Sequence, residues 1–212
     1  MRINELNKPR QLSGVKSDLS KIKNIDSRDT SWQSLLNQAF QEYGFNNSGT
    51  GKYGTVFINS SYPYAIKIFM RDTAYMRWLR FCMNNQQNPY VPKIRGKVSK
   101  LTSIFYAVRI EKLKPIRGMH DSVDQFATII SRWEDDNSYR TNDENINSIL
   151  DLFNKNSNIF DLHNENIMMR GDQVVIIDPF YNWFKPEKMD FSIDPYEPNP
   201  DVFTTGRDQI KK

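Results

Sequence analysis

The chain of 212 residues has one cysteine, Cys82. It therefore has no internal disulfide and no cysteine-built zinc centre, and a reducing, cytoplasmic compartment is expected. No run of about 18 apolar residues occurs, which excludes a membrane-spanning helix. The opening stretch MRINELNKPRQLSG lacks the apolar core of a secretory signal, so secretion is not expected. There are no internal repeats. Neither sign of charge dominates: Lys and Arg total 29 against 25 Asp and Glu, a formal net charge of +4. That mild excess permits an anionic ligand such as a nucleotide but does not call for nucleic acid, and no Lys/Arg block is interleaved with aromatics. What the chain has instead is a 13% share of aromatic residues, enough to argue for a packed core of one or two domains.

Residues 1–30 are polar with few large apolar side chains and are expected to form an extension. Ser31 then suits an N-cap, Trp32, Leu35, Leu36, Ala39 and Tyr43 recur at helical spacing, and Gly44 suits a stop. From Phe45 to Ile110 the chain reads mostly as strands: TVFIN (55–59), YAIKIF (64–69) and SIFYAVRI (103–110) are rich in β-branched and aromatic residues. One helix interrupts them, with Tyr75, Trp78, Leu79 and Cys82 on one face. Two further helices are marked by Val123, Phe126, Ile130 and Trp133, then by Ile146, Ile149, Leu150 and Phe153. The short strands IMMR (167–170) and QVVII (173–177) follow, joined at Gly171-Asp172, and the tail from Pro186 is proline-rich. The expected fold class is α+β: a sheet-rich half over 31–112, a connector near Glu111 to Leu113, and a helix-rich half over 113–212.

Three signals carry chemistry. GTGKYGTV places Gly49, Gly51 and Gly54 in a G-x-G-x-x-G spacing. Glycine lets backbone N–H groups approach phosphate oxygens, and a β-rich segment rather than a helix follows, with Val56 two residues on. An ordinary glycine hairpin is the plainer alternative. Next, Ala65 and Lys67 share one face of a strand, a small residue leaving room for a flat base beside a cation for its phosphates. A surface lysine on an edge strand would look the same in isolation. The strongest signal is DLHNEN, Asp161 to Asn166, followed 12 residues later by Asp178. Phosphoryl transfer needs a carboxylate to orient the attacking hydroxyl and oxygen ligands to hold magnesium; Asp161 suits the first task, Asn166 and Asp178 the second. Taken singly, Asp161 reads as a cap and Asp178 as a strand-end turn with Pro179.

In this order the motifs resemble those of protein-kinase-like phosphotransferases. The AIK strand, Ala74-Tyr75 and Phe81-Cys82, FDLHNENIM (160–168), IIDP (176–179) and FSIDP (191–195) are similar to the early serine/threonine protein kinases of short-tailed, T7-like bacteriophages. The resemblance implies a minimal bilobal kinase-like fold with a β-rich N-lobe and a reduced helical C-lobe. It implies that Gly49, Gly51 and Gly54 cover the phosphates of ATP, and that Lys67 contacts the α- and β-phosphates. Asp161 would be the catalytic base, Asn166 and Asp178 would hold Mg2+, and the backbone near Glu111 to Leu113 would receive the adenine beside Val56 and Ala65. His163 would touch the γ-phosphate or brace the loop. Host bacterial proteins, and the kinase itself, are the implied substrates; no motif surrounds His120.

Several features depart from the kinase pattern. RDTAYMRWLRFCM holds no glutamate to pair with Lys67, and Asp72 is its only acid. Ile159-Phe160 replaces the usual His-Arg, which removes the docking point for a phosphorylated loop. D-P-F stands for D-F-G, and only 34 residues follow Asp178. A pseudokinase that binds a host protein without catalysis is the main alternative. A small-molecule kinase is another, its cationic substrate met by Glu134, Asp135, Asp136, Asp143 and Glu144. A nucleic-acid module rests on net charge alone.

Overall fold

β-branched and aromatic residues on alternating positions build the central strands of this protein. The computed structural model describes residues 31–51, 53–70, 73–101, 105–155 and 161–180. The polar segment 1–30, Asp72, Ile159-Phe160, FSIDP and the tail lie outside the described residues. The elements are α1 (Ser31–Gln41), β1 (Asn46–Thr50), β2 (Gly54–Ile58), β3 (Tyr64–Met70), α2 (Thr73–Asn84), β4 (Ser99–Lys100) and β5 (Phe105–Glu111). They continue as β6 (Lys114–Pro115), α3 (Asp121–Asp135), α4 (Glu144–Asn154), a 3-10 turn (Asn164–Asn166), β7 (Ile167–Arg170) and β8 (Gln173–Ile176). This is an α+β arrangement, and the described residues contain no helix long and apolar enough to cross a membrane.

The larger sheet runs β1-β2-β3-β5-β4, every neighbouring pair antiparallel. Its middle strand has two buried faces. Ile66 and Ile68 point to one side, where they pack with Phe57, Phe105 and Ala107 beneath Trp32, Leu36 and Phe40 of α1. Ala65 and Phe69 point to the other, against Tyr75, Trp78, Leu79 and Cys82 of α2. Helix α1 ends as its glycine predicts: Gly44 takes φ +73°, Gly44 N–H donates to Gln41 O and Phe45 N–H to Phe40 O. The Phe45 ring then meets Phe40 edge-on at 5.9 Å, completing a C-terminal cap with its hydrophobic contact. Two details differ from the helical stripe read from sequence. Leu35 is 45% exposed, and Phe40, outside that stripe, is buried.

The second sheet is the antiparallel trio β6-β7-β8, turned at Gly171 with φ +61°. Its inner residues Ile167, Met169, Val174 and Ile176 join the α2 side of the core together with Phe126, Ile130 and Trp133 of α3 and Ile146, Ile149, Leu150 and Phe153 of α4. Asp143 caps α4, its side chain accepting from Asn145 N–H. The segment after α2 ties the pieces together. Asn88 Nδ2 donates to Asn145 O at 2.8 Å, Tyr90 O accepts from Ile176 N–H at 2.9 Å, and Tyr90 hydroxyl donates to Asp143 at 2.9 Å.

Candidate functional site

Strand register sets the first functional side chain. Lys67 lies between Val56 on β2 and Val108 on β5, so its stem crosses an apolar row on the α2 side of the sheet. Its ammonium has two partners of different kinds. Nζ donates to Asp178 Oδ2 at 2.6 Å, and it stands 3.7 Å from the centroid of the Tyr75 ring in α2. The lysine side chain is 13% exposed and the Asp178 side chain 29%.

The opposite side is a loop sewn to the end of a strand. Asp161 N–H donates to Pro179 O at 2.8 Å, and Ile177 N–H donates to Asn166 O at 2.8 Å. These two bonds bracket Asp178 and hold Asp161 and Asn166 beside it. Asn166 Nδ2 donates to the Asp161 carbonyl at 2.7 Å, which leaves Oδ1 as the amide's remaining donor atom toward a cation. His163 packs within the same loop. Its Nε2 lies 3.1 Å from Asn166 Nδ2 and 3.8 Å from Asp161 Oδ2, while Nδ1 faces Glu165 N–H at 3.3 Å. Both ring nitrogens face N–H groups, and a neutral imidazole has one lone pair to offer, so only one of these is a hydrogen bond.

Burial pushes the Asp178 carboxyl up from its ordinary range; Lys67 pulls it back down, and the nearby Asp161 adds to the rise. A carboxylate held in that tension is stabilised by further positive charge. Asp178 and Asn166 both bring oxygen, the hard donor that magnesium takes while keeping several waters, so the donor chemistry fits that ion. The Asp161 carboxylate, 40% exposed, stays open to an incoming group.

Phe180 replaces glycine's place after the aspartate-proline pair and anchors it. It is buried with Phe153 of α4 edge-on at 5.8 Å and Trp78 of α2 at 6.4 Å. Proline therefore presents its carbonyl to Asp161 while the phenylalanine grips both helices.

A family model described as Bacteriophage T7 protein kinase 0.7 matches residues 15–210. The chain belongs to that family. The family's name is that of a protein kinase, so phosphoryl transfer is the class of activity it indicates. No curated protein matches the chain.

Seen from that family, Lys67, Asp161, His163, Asn166 and Asp178 come together. The glycines are arranged less uniformly. Gly49 and Gly51 sit at the turn end of the β1–β2 hairpin, where Gly51 N–H donates to Gly54 O at 2.8 Å. Gly54 is close-packed: a Cβ there would lie 3.0 Å from Ile68 O and 3.5 Å from Lys67 Cε. Val56 is half-buried against the core and Ala65 is buried at 4% exposure. Leu113 lies in the two-residue link between β5 and β6. Glu111 is already engaged: its N–H donates to Lys93 O, and its carboxylate accepts from Lys93 N–H and from the Arg170 guanidinium.

Three groups escaped the sequence reading. Tyr75 was visible as a core residue of α2 and as part of the Ala74-Tyr75 match, without a role at the lysine; Arg170 was visible as part of a strand, and the Pro179 carbonyl as part of a turn. Of the five acids weighed for a cationic substrate, two have local work. Asp143 caps α4, and Asp136 accepts from the Ser138 N–H and hydroxyl, which hold its carboxyl below the ordinary value.

Proposed function

We propose that this protein is an ATP- and magnesium-dependent serine/threonine protein kinase acting on host bacterial proteins, and on itself, in the bacterial cytoplasm. In this reading the larger sheet with α2 forms a kinase-like N-lobe, and α3, α4 and the β6–β8 sheet form a reduced C-lobe. The observation that carries it is the meeting of Lys67 and Asp178 at 2.6 Å, with Asp161 and Asn166 bonded to the same strand end.

Each residue's task follows from its chemistry. Lys67 receives the α- and β-phosphates when it exchanges its contact with Asp178 for phosphate oxygens. Asp178 and Asn166 hold Mg2+, which when bound neutralises charge on the phosphates. The Asp161 carboxylate orients the Ser or Thr hydroxyl and takes its proton as the Oγ–phosphorus bond forms and the bond to the β-phosphate oxygen breaks. His163 makes its contacts inside the loop, which favours its bracing role. Gly49, Gly51 and Gly54 cover the phosphates from the hairpin. The adenine meets Val56 and Ala65 and the link through Lys112 and Leu113, because the Glu111 N–H is engaged elsewhere.

The pseudokinase reading keeps one supporting observation: no described residue of α2 offers Lys67 a carboxylate. The two separate on transfer of label. With γ-labelled ATP and magnesium the purified protein should label itself or a host extract, and Asp161→Asn should abolish the signal. Equal, weak labelling by both would leave a binding protein.

A further inference from the structure

An active kinase lysine needs a partner that keeps its ammonium forward, and in this chain the usual helix glutamate is missing. We propose that the face of the Tyr75 ring takes that place, holding Lys67 by a cation–π contact. Tyr75 is thus a positioning residue for the phosphate-binding lysine. The inference rests on the phosphate-binding role proposed for Lys67.

The geometry supports a built contact rather than a passing one. The ammonium lies 3.7 Å from the ring centroid, well within the roughly 6 Å range of such attraction. Tyr75 is 3% exposed, and its ring is fixed edge-on against Phe69 at 4.8 Å. Lys67 Cε also runs past Gly54, where an added Cβ would stand in ordinary contact with it at 3.5 Å. A cation taken this far out of water gains more from a ring quadrupole than an exposed one does.

The substitution also has an electrostatic logic. Asp178 already lies 2.6 Å from the ammonium, and Asp161 is bonded to the same strand end. A glutamate on α2 would add another negative charge to the same spot. It would compete with phosphate for Lys67 and repel the carboxylate of Asp178. The ring holds the lysine without adding a second counter-charge to that of Asp178.

Replacing Tyr75 by an aliphatic residue opens a cavity and confounds the test, so ring electronics should be varied at nearly constant shape. Tyr75→Phe in the full-length protein sets the reference, and site-specific incorporation of difluoro- and trifluorophenylalanine then removes the ring's negative face stepwise. Two readouts are needed: the dissociation constant for MgATP, and the rate at which an amine-acylating reagent modifies Lys67, followed by mass spectrometry without nucleotide. The expected result is a stepwise change, about tenfold from the phenylalanine reference to the trifluoro ring, weakening MgATP and speeding acylation. Flat acylation rates along the series overturn the proposal. If no variant, including the wild type, binds MgATP, the kinase reading falls, and the acylation series still decides whether the ring holds the lysine.

Discussion

Among the described residues, two ion pairs join those before the β5–β6 link to those after it, and they are built on opposite principles. Arg170 uses four of the five N–H donors of its guanidinium. It forks onto both oxygens of Glu111 and donates to the carbonyls of Pro89 and Val91, while Glu111 also accepts from Lys93 N–H. Lys67 makes a single hydrogen bond to Asp178 and rests on a ring face. A planar fork with four of its five donors matched has little left for a ligand. A point charge with one acid and one ring keeps directions in which phosphate can approach. The first pair is a clamp and the second is a site, and the difference lies in unsatisfied capacity rather than in distance.

Sharpening that contrast starts with the largest effect. Lys67→Met should lower the rate of phosphoryl transfer on the order of a thousandfold, about 4 kcal/mol in the barrier. Its stability should fall by only about 1 kcal/mol, because the partly open Asp178 can take up a proton or water. Steady-state transfer assays alongside denaturant unfolding read both quantities. Arg170→Leu should do the reverse, costing about 3 kcal/mol of stability by stranding Glu111 and two carbonyls, with a smaller loss of rate. If Lys67→Met proves the more destabilising of the two, the contrast between clamp and site is wrong.

The pH dependence of stability separates the pairs again. The Asp178 carboxyl is raised in the folded state, first by burial and then by Asp161, against the pull of Lys67. The folded protein therefore binds that proton more tightly than the unfolded chain does. This group's contribution makes stability fall as pH climbs from the unfolded value near 3.8 through the folded value, and it is constant above. Asp178→Asn should remove that slope. Lys67→Met, which takes away the lowering influence, should extend the slope to higher pH. Denaturation midpoints collected from about pH 4 to about pH 8 would show it, and unchanged slopes in both variants would sink the assignment.

What the sequence made legible was whatever local periodicity or spacing can carry. The four described helices follow from apolar stripes, α1 ends at Gly44 because a glycine-like φ closes that cap, and the grouping of Asp161, Asn166 and Asp178 at one strand end was expected from residue type and spacing. The rest depended on partners far along the chain. β1, NNSGT, holds one strand former, Thr50; it is extended because it pairs with β2 and because Asn47 Oδ1 accepts from Gly49 N–H at its bulge. Glu111 and Arg170 lie 59 residues apart, with nothing local to link them. Tyr75 satisfied the helical stripe so well that its second role was hidden: its periodicity announces burial, and burial says nothing of what lies over the ring.

The smallest effect concerns the scaffold that supplies the clamp's carbonyls. Tyr90 sits between Pro89 and Val91, the two acceptors of Arg170, and its hydroxyl donates to the capping carboxylate of Asp143 at 2.9 Å. Burial and that acid push the phenol up to about 12. Tyr90→Phe removes one bond to a charged acceptor that is itself half-open to water, so it should cost about 1 kcal/mol in denaturant unfolding, less than Arg170→Leu. If Tyr90 acts through the clamp, the double variant with Arg170→Leu should cost less than the two losses added, because both act on the segment from Asn88 to Pro92. Additive losses would mean that the Tyr90 hydroxyl serves only the cap of α4, and that the clamp ends at the backbone it grips.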